Sequence, residues 1–271
     1  MLEILSYSFL QNALISIILL SAILPLLGIF LSLKKTTFIG DALAHASLLG
    51  VSLGFILGIN SLITTLLFLV FCGIFIFFLQ KKSYLNYDLI VMIISILGMS
   101  LGILIFSLSP LSKSSVVSYL FGNILLIEKF DILILLFLSI FIFIIAKIYL
   151  KDALLTFINK DLAYTENVKT DIIEFFFFVI LSLVIGLSIK MIGALLVSAL
   201  IVLPVSIGKI ISSSFKSLVL NSILWSELMG ISGLLISYFL DLPPGPVIAS
   251  LGILALLLIL TIKVINDKIL K

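Results

Sequence analysis

Apolar runs of about 20 residues recur along the whole chain and constrain its fold more than any other feature. A helix rises about 1.5 Å per residue, so one such run can cross the roughly 30 Å hydrocarbon core of a bilayer. Apolar residues make up 63% of the sequence and charged residues 11%, a balance that excludes an ordinary soluble domain. The sequence predicts an all-α, polytopic membrane protein with one transmembrane domain over residues 1–271.

The apolar runs predict eight or nine crossings of the membrane. The run at 191–208 leaves the number open, because it follows Lys190 almost without a loop and carries Pro204 near its end. It is either a full crossing or a broken one. The runs lie at 8–33, 37–58, 61–80, 89–108, 131–150, 171–189, 191–208, 217–240 and 246–264.

The lysines predict the orientation of these crossings, because positively charged loops tend to stay in the cytoplasm. If residue 1 lies outside and the chain crosses nine times, five lysine-bearing segments become cytoplasmic: 34–35, 81–82, 147–169, 209–216 and 263–271. Three lysines remain outside: Lys113, Lys129 and Lys190. Because the lysines are dispersed between apolar runs and not clustered on a soluble face, we expect no nucleic-acid partner.

One predicted crossing carries a carboxylate and the single histidine of the chain, Asp41 and His45. Four residues are about one helical turn, so the two side chains project from the same face and can share a ligand. With Lys34 and Lys35 at the cytoplasmic surface, His45 is expected roughly 15 Å deep. Polar groups at membrane depth are costly and often mark a substrate path.

The chemistry of this pair leaves two interpretations open. Imidazole and carboxylate are both ligands for zinc, manganese and iron, so the pair can form part of a metal pathway. One copy supplies too few ligands to hold a divalent ion, whereas a two-fold dimer would supply two Asp and two His. Alternatively, His45 and Asp41 form a structural hydrogen-bonded pair with no ligand.

The same predicted helix carries small residues at every fourth position. Small residues at this spacing let membrane helices approach closely. The stripe lies one residue, about 100 degrees, from the face of Asp41 and His45, so close packing on one face would leave the other directed at a pathway. The predicted packing residues are Ala42, Ala46, Gly50, Gly54 and Gly58.

Two other acidic residues fall within apolar runs. Glu227 lies in the middle of its run and is a possible pathway residue, although burial beside a hydrogen-bond partner or in a protonated state would also explain it. Glu174 precedes a run of four phenylalanines close to a predicted cytoplasmic boundary, and we expect it at the interface.

Two connecting segments are longer than plain turns. Residues 109–130 include a mostly apolar stretch at 116–126, which is too short to span and predicts a re-entrant or surface helix outside. Residues 151–170 form the extended polar segment of the chain and are expected in the cytoplasm. This second segment is the best candidate surface for a cytoplasmic protein partner.

Sequence motifs of catalysis are missing from the chain. It contains no phosphate-binding glycine loop that ends in Lys-Ser/Thr and no metalloprotease pair of histidines. We therefore expect a transport subunit and not an enzyme. Two competing classes are a secondary transporter that uses Asp41 or Glu227 as its proton carrier, and a membrane scaffold, which would leave the Asp/His pair without a purpose.

Four segments together resemble the permeases of ATP-binding-cassette importers for zinc, manganese and iron. The segment at 37–51 reads TFIGDALAHASLLGV and contains both Asp41 and His45. The others lie at 119–125, 193–204 and 238–246, and their order and spacing agree over nearly the full length. The resemblance is closest to the zinc-uptake permeases of Gram-negative bacteria, which implies a multi-pass protein of the bacterial inner membrane.

The resemblance also implies the partners and the cargo. It implies a homodimeric channel, two cytosolic ATPase subunits and an extracytoplasmic protein that delivers the metal. ATP hydrolysis would reside in the ATPase subunits. Zinc, or alternatively manganese or iron(II), would be cargo, and no permanently bound cofactor is expected.

In such importers a short cytoplasmic helix of the permease docks on the ATPase. The matching segment here is 161–168, within the polar segment 151–170. Family members often have glycine where this chain has Asn167, and asparagine tolerates a left-handed backbone better than most residues. The docking residues expected from the resemblance are Asp161, Ala163, Glu166 and Asn167.

Overall fold

The computed structural model describes residues 8–82, 85–108, 122 and 127–269. Throughout these ranges the chain forms helices joined by short turns, with no strand among them. The helices are α1 Ser8–Leu33, α2 Phe38–Leu57, α3 Ser61–Lys82, α4 Tyr87–Leu108, α5 Lys129–Ile158, α6 Lys160–Thr165, α7 Thr170–Ile211, α8 Phe215–Leu240 and α9 Pro244–Ile269. The all-α, polytopic fold predicted from the sequence is confirmed.

Eight of the described helices, all except α6, are long and apolar enough to cross a membrane. One of the eight, α7, has 42 residues and would be about 63 Å long if it were straight, twice the thickness of the hydrocarbon core. It is broken at Gly193, whose φ of 80° and ψ of 160° belong to a region that is almost exclusive to glycine. The longest helix is therefore two helices joined at one residue.

Ion pairs mark the two ends of the first half of α7. Near its start, Glu174 contacts Lys34, which directly follows α1. Just before Gly193, Lys190 contacts Asp131 in the first turn of α5. The start of α5 lies beside the start of α1, where Asn12 donates to the carbonyl of Ile127, whereas Lys34 follows the end of α1. The two ion pairs therefore place the start of α7 and Gly193 at opposite ends of the bundle.

The second half of α7 runs back toward the end from which α7 started. A side chain at Gly28, near the end of α1, would collide with the backbone of Ile201, and a side chain at Gly40, near the start of α2, would meet the side chain of Ile201. Both glycines lie toward the end that holds Lys34. The chain thus reverses at Gly193, and the eight candidate helices make nine passages.

Contacts between helix ends place the main lysine groups together, as the charge pattern predicts. The Nζ atom of Lys34 donates to Gln80 near the end of α3, and Lys81 contacts Asp171 in the first turn of α7. At the end of α7, Lys263 donates to the carbonyl of Ile210. This is the cytoplasmic end of the bundle under the positive-inside rule.

The centre of the bundle is built from α1, α2 and α7, which are the most buried of the long helices. In contrast, α3, α4, α5, α8 and α9 bury only a third or less of their apolar spans, as helices at the lipid boundary do. The segment 119–125 and the helix predicted within 109–130 fall, apart from a few residues, outside the part of the chain that the structure describes.

Candidate functional site

Asp41 and His45 occupy adjacent turns of α2 and face each other. The Oδ2 atom of Asp41 lies 3.5 Å from Nε2 of His45, and the two side chains are 50% and 32% exposed. Between Ile39 and Gly50 they are the only residues of α2 that are not buried. An otherwise enclosed helix is therefore open at Asp41 and His45.

The position of this pair along α2 follows from where that helix begins. The turn that follows α1 extends to Thr37, so α2 begins only at Phe38. His45 consequently lies about 10 Å along the helix from its first residue, and its depth in the membrane stays a prediction. The pair sits in the cytoplasmic half of α2, within reach of the membrane centre.

The donor set of one copy is incomplete. Among the described residues, no three His, Cys, Asp or Glu side chains come close enough together to hold a metal ion. The Nδ1 atom of His45 is buried and has no hydrogen-bond partner among the described residues. One carboxylate and one imidazole can contribute to a metal site but cannot enclose an ion.

The small residues of α2 lie where its neighbours come closest. Ala46 touches Gly98 of α4, where an added side chain would collide with the backbone of Ala46. Gly50 and Gly54 face the first turns of α3, where they approach Thr65 and Ser61.

The two ends of the small-residue stripe behave differently. Ala42 is buried, but Gly58 makes no close contact and instead ends the helix in the left-handed conformation, with φ of 65°. At Gly58 the need for glycine comes from the backbone and not from packing.

Glu227 lies on α8, a different helix from the one that carries Asp41 and His45. Its Oε2 atom is buried and finds no hydrogen-bond partner in the described ranges, and the residue as a whole is half-buried. The structure shows no ion pair for it within the described part of the chain.

The predicted docking segment contains its own short helix, α6. The side chain of Asn159 caps the helix by accepting hydrogen bonds from the N–H groups of Asp161 and Leu162. The turn that follows the helix contains Asn167, whose φ of 56° is left-handed. Asparagine thus adopts the conformation for which glycine is ordinarily used.

The faces of α6 separate the four predicted docking residues. Ala163 is fully buried against the rest of the protein and cannot itself contact a partner. Asp161 and Glu166 are exposed, and Glu166 pairs with Lys151 at 3.4 Å. The outward face also carries Leu162 and Tyr164, two large side chains that are exposed.

Glu174 lies at the cytoplasmic end of the bundle, near the predicted membrane boundary, and is buried inside the protein. Its side chain is only 2% exposed and pairs through Oε1 with Lys34 at 3.1 Å and with Lys160 at 2.8 Å. Sequence reasoning missed this cluster because its members lie far apart along the chain. The available signal was a carboxylate set directly against four phenylalanines, a setting that demands a cationic partner.

Lys34 is the most enclosed cation of this cluster. Burial lowers the pKa of its ammonium group from 10.5 to about 8, and the neighbouring Glu174 carboxylate opposes part of that change. The Nζ atom also lies 4.6 Å from the centre of the Phe178 ring, at a distance that suits a cation–π contact.

The nine apolar passages in the described part of the chain define a polytopic membrane protein. The chain belongs to the ABC 3 transport family, whose model matches residues 6–263. It is a multi-pass protein of the bacterial cytoplasmic membrane. The family predicted from the sequence is confirmed.

Relatives with different named metals match the chain over most of its length. It is 31% identical to the high-affinity zinc uptake system membrane protein ZnuB of Haemophilus influenzae over 89% of this chain and 92% of that protein. It is 30% identical to the manganese import system permease protein ScaB of Streptococcus gordonii over 88% of this chain and 86% of that protein.

The fold is similar to a solved structure described as PsaBC from Streptococcus pneumoniae in complex with Fab. The TM-score is 0.82 at 28% identity, and the match covers 93% of this chain and 91% of the other. The likeness therefore extends over the whole arrangement of helices and not only over the segment around Asp41.

Proposed function

We propose that this chain is the permease subunit of an ATP-binding-cassette importer that moves a divalent transition metal into the cell. The observation that carries the proposal is the Asp41/His45 pair, which forms the half-exposed opening of a helix that is otherwise buried. Membership of the ABC 3 transport family supports the transport class. ATP hydrolysis belongs to partner subunits, and the permease supplies the path.

A second copy of the chain completes the metal site. A carboxylate that is 50% exposed on a membrane-crossing helix would be costly against lipid, so its open face needs a polar neighbour. Two copies related by a two-fold axis at α2 would supply two carboxylates and two imidazoles. That set suits tetrahedral or octahedral coordination, and its partial exposure allows release.

Zinc is the proposed cargo, with manganese and iron(II) as alternatives. Imidazole ligands favour zinc over manganese in intrinsic affinity. Relatives at 31% and 30% identity carry zinc and manganese in their names, so the names alone do not separate the two metals. An extracytoplasmic metal-binding protein that delivers the ion would contribute to the choice.

Two cytosolic ATPase subunits dock on α6 and its flanking turn in this proposal. The outward face of α6 presents Leu162 and Tyr164 beside the exposed acids Asp161 and Glu166. Ala163 acts from the inward face and fixes the position of the helix, because it is fully buried.

Metal uptake by reconstituted vesicles tests the proposal. D41A and H45A should each lower ATP-dependent zinc uptake at least about tenfold, because each removes a ligand that is used in passage. Co-purification with the ATPase should be unchanged. D88A, which removes an exposed carboxylate at the start of α4, is the matched control and should transport normally.

Two results would count against the proposal. Zinc uptake at the wild-type rate in both D41A and H45A would show that Asp41 and His45 are not part of the metal path. Uptake that follows a proton gradient without ATP and is lost in E227Q would favour the secondary-transporter alternative.

A further inference from the structure

A buried ion cluster joins the docking helix to the start of α2. Lys160, the first residue of α6, contacts Oε1 of Glu174 at 2.8 Å, and Lys34 contacts the same oxygen at 3.1 Å. The side chains of Glu174 and Lys34 are 2% and 7% exposed, whereas Lys160 is 41% exposed. One carboxylate thus holds a cation from the docking helix and a cation from the turn between α1 and α2.

Lys34 is held from several sides, so it cannot move independently of its surroundings. Its Nζ atom donates to Gln80 of α3 at 3.1 Å and lies 4.6 Å from the ring of Phe178, one turn beyond Glu174. The ring of Phe157, at the end of α5, lies 5.9 Å away. The ammonium group of Lys34 therefore contacts the cytoplasmic ends of three other helices, α3, α5 and α7.

The turn after Lys34 is short and tightly bonded. Lys35 adopts a left-handed φ of 61°, and Thr36 donates from its N–H to the carbonyl of Leu31. The next helix, α2, begins at Phe38, and Asp41 lies in its first turn. Because so little chain separates Lys34 from α2, a displacement of Lys34 is carried directly into the helix that bears the metal pair.

We propose that Glu174 is the positioning residue that transmits movement of the docking helix α6 to α2, through Lys160 on one side and Lys34 on the other. The inference rests on the proposed function, since it assumes that an ATPase moves α6. It adds a named connection between the docking surface and the Asp41/His45 pair. Coupling between sites is carried by ion-pair networks between rigid elements that have more than one arrangement.

The geometry of the cluster makes Glu174 the residue on which the connection depends. Without the charge of Glu174, the ammonium groups of Lys34 and Lys160 would lie close together with no carboxylate between them. Their repulsion would strongly destabilise the observed packing. Loss of Lys160 would break only the connection to α6, because Lys34 and Glu174 would remain paired.

The test compares E174Q with D171N in the complete complex of permease dimer and ATPase subunits, reconstituted in vesicles. Asp171 lies one turn before Glu174 on α7 and also pairs with a lysine, but its side chain is 55% exposed and its partner, Lys81, belongs to α3. D171N should leave zinc transported per ATP hydrolysed within about twofold of wild type. E174Q should lower that ratio at least about fivefold while ATP hydrolysis continues.

Further outcomes separate this inference from the proposed function. Zinc transport per ATP equal to wild type in E174Q would overturn the inference while leaving the uptake defects of D41A and H45A unaffected. If E174Q does not assemble, K160M decides, because it alters a partly exposed side chain and keeps the buried pair. K160M with a lowered ratio supports the connection, and K160M with a wild-type ratio overturns it.

Discussion

At the scale of single residues, the protein places few ionisable groups away from water and gives most of them a partner. Asp41 faces His45, Glu174 faces two lysines, and Asp131 faces Lys190. Each pair reduces the cost of placing charge among apolar helices. The Asp41/His45 pair differs from the others because both of its members remain partly open.

The pH dependence of stability tests the burial of Lys34. Its pKa is about 8 in the folded protein, against 10.5 ordinarily, because burial disfavours the charged form. Between these two values the unfolded chain binds more protons, so this group makes stability rise with pH across that window. The charged or titratable groups that face Lys34 are Glu174, Lys160 and Tyr87.

Thermal unfolding in detergent measures this effect. From pH 8 to 10, the Tm of wild type should rise relative to that of K34M. K81M removes a more exposed lysine at the same end and should track wild type across the range. A wild-type Tm that falls relative to K34M over this window would show that Lys34 is not buried as described.

At the scale of elements, the reversal within α7 depends on one glycine. Gly193 has φ of 80° and ψ of 160°, which other residues reach only at a cost of about 1–3 kcal/mol. G193A should lower the yield of folded protein and its Tm, because the reversal between the two halves of α7 must distort. The measurement is the monodisperse yield on size-exclusion chromatography, followed by thermal unfolding.

Gly58 offers a matched control for this substitution. It also has a positive φ, 65°, but its ψ of 23° is the ordinary left-handed conformation and nothing lies close to it. G58A should cost only about 1–2 kcal/mol and keep the yield. If G193A and wild type had equal yields and Tm values, the reversal within α7 would not depend on Gly193.

The hydropathy of the sequence predicts the spans well, but it does not predict how they meet. Membrane crossings and lysine placement follow from the solvation of each segment taken alone. The sharp reversal at Gly193 depends on backbone angles, so the run at 191–208 could be interpreted as full or broken. The burial of Glu174 depends on residues brought together from distant helices, and for that reason hydropathy does not predict it.

At the candidate site, too, the sequence predicts local features but not those that depend on packing. Helical periodicity places Asp41 and His45 on one face, and the structure has them facing each other at 3.5 Å. The residue at which α2 begins depends on the turn after Lys34, and the apolar periodicity does not predict that turn. The left-handed backbone at Asn167 follows from residue type, whereas the inward position of Ala163 follows only from packing.

At the scale of the whole molecule, the account requires a second copy of the chain. The central helices are buried in the described part of the protein, but the face that bears Asp41 and His45 is open. In the proposed dimer joined along that face, the metal path would lie between the copies and the proposed docking helix would lie at the cytoplasmic end of each. The cluster around Glu174 would then connect these two regions within every copy.

The number of metal ions bound per permease chain tests the central claim most directly. Equilibrium zinc binding to the purified permease–ATPase complex, without the delivery protein, should saturate at one ion for every two permease chains. H45A should abolish that binding, while D88A should keep it. One ion bound for each chain, or unchanged binding in H45A, would contradict a site that two copies share.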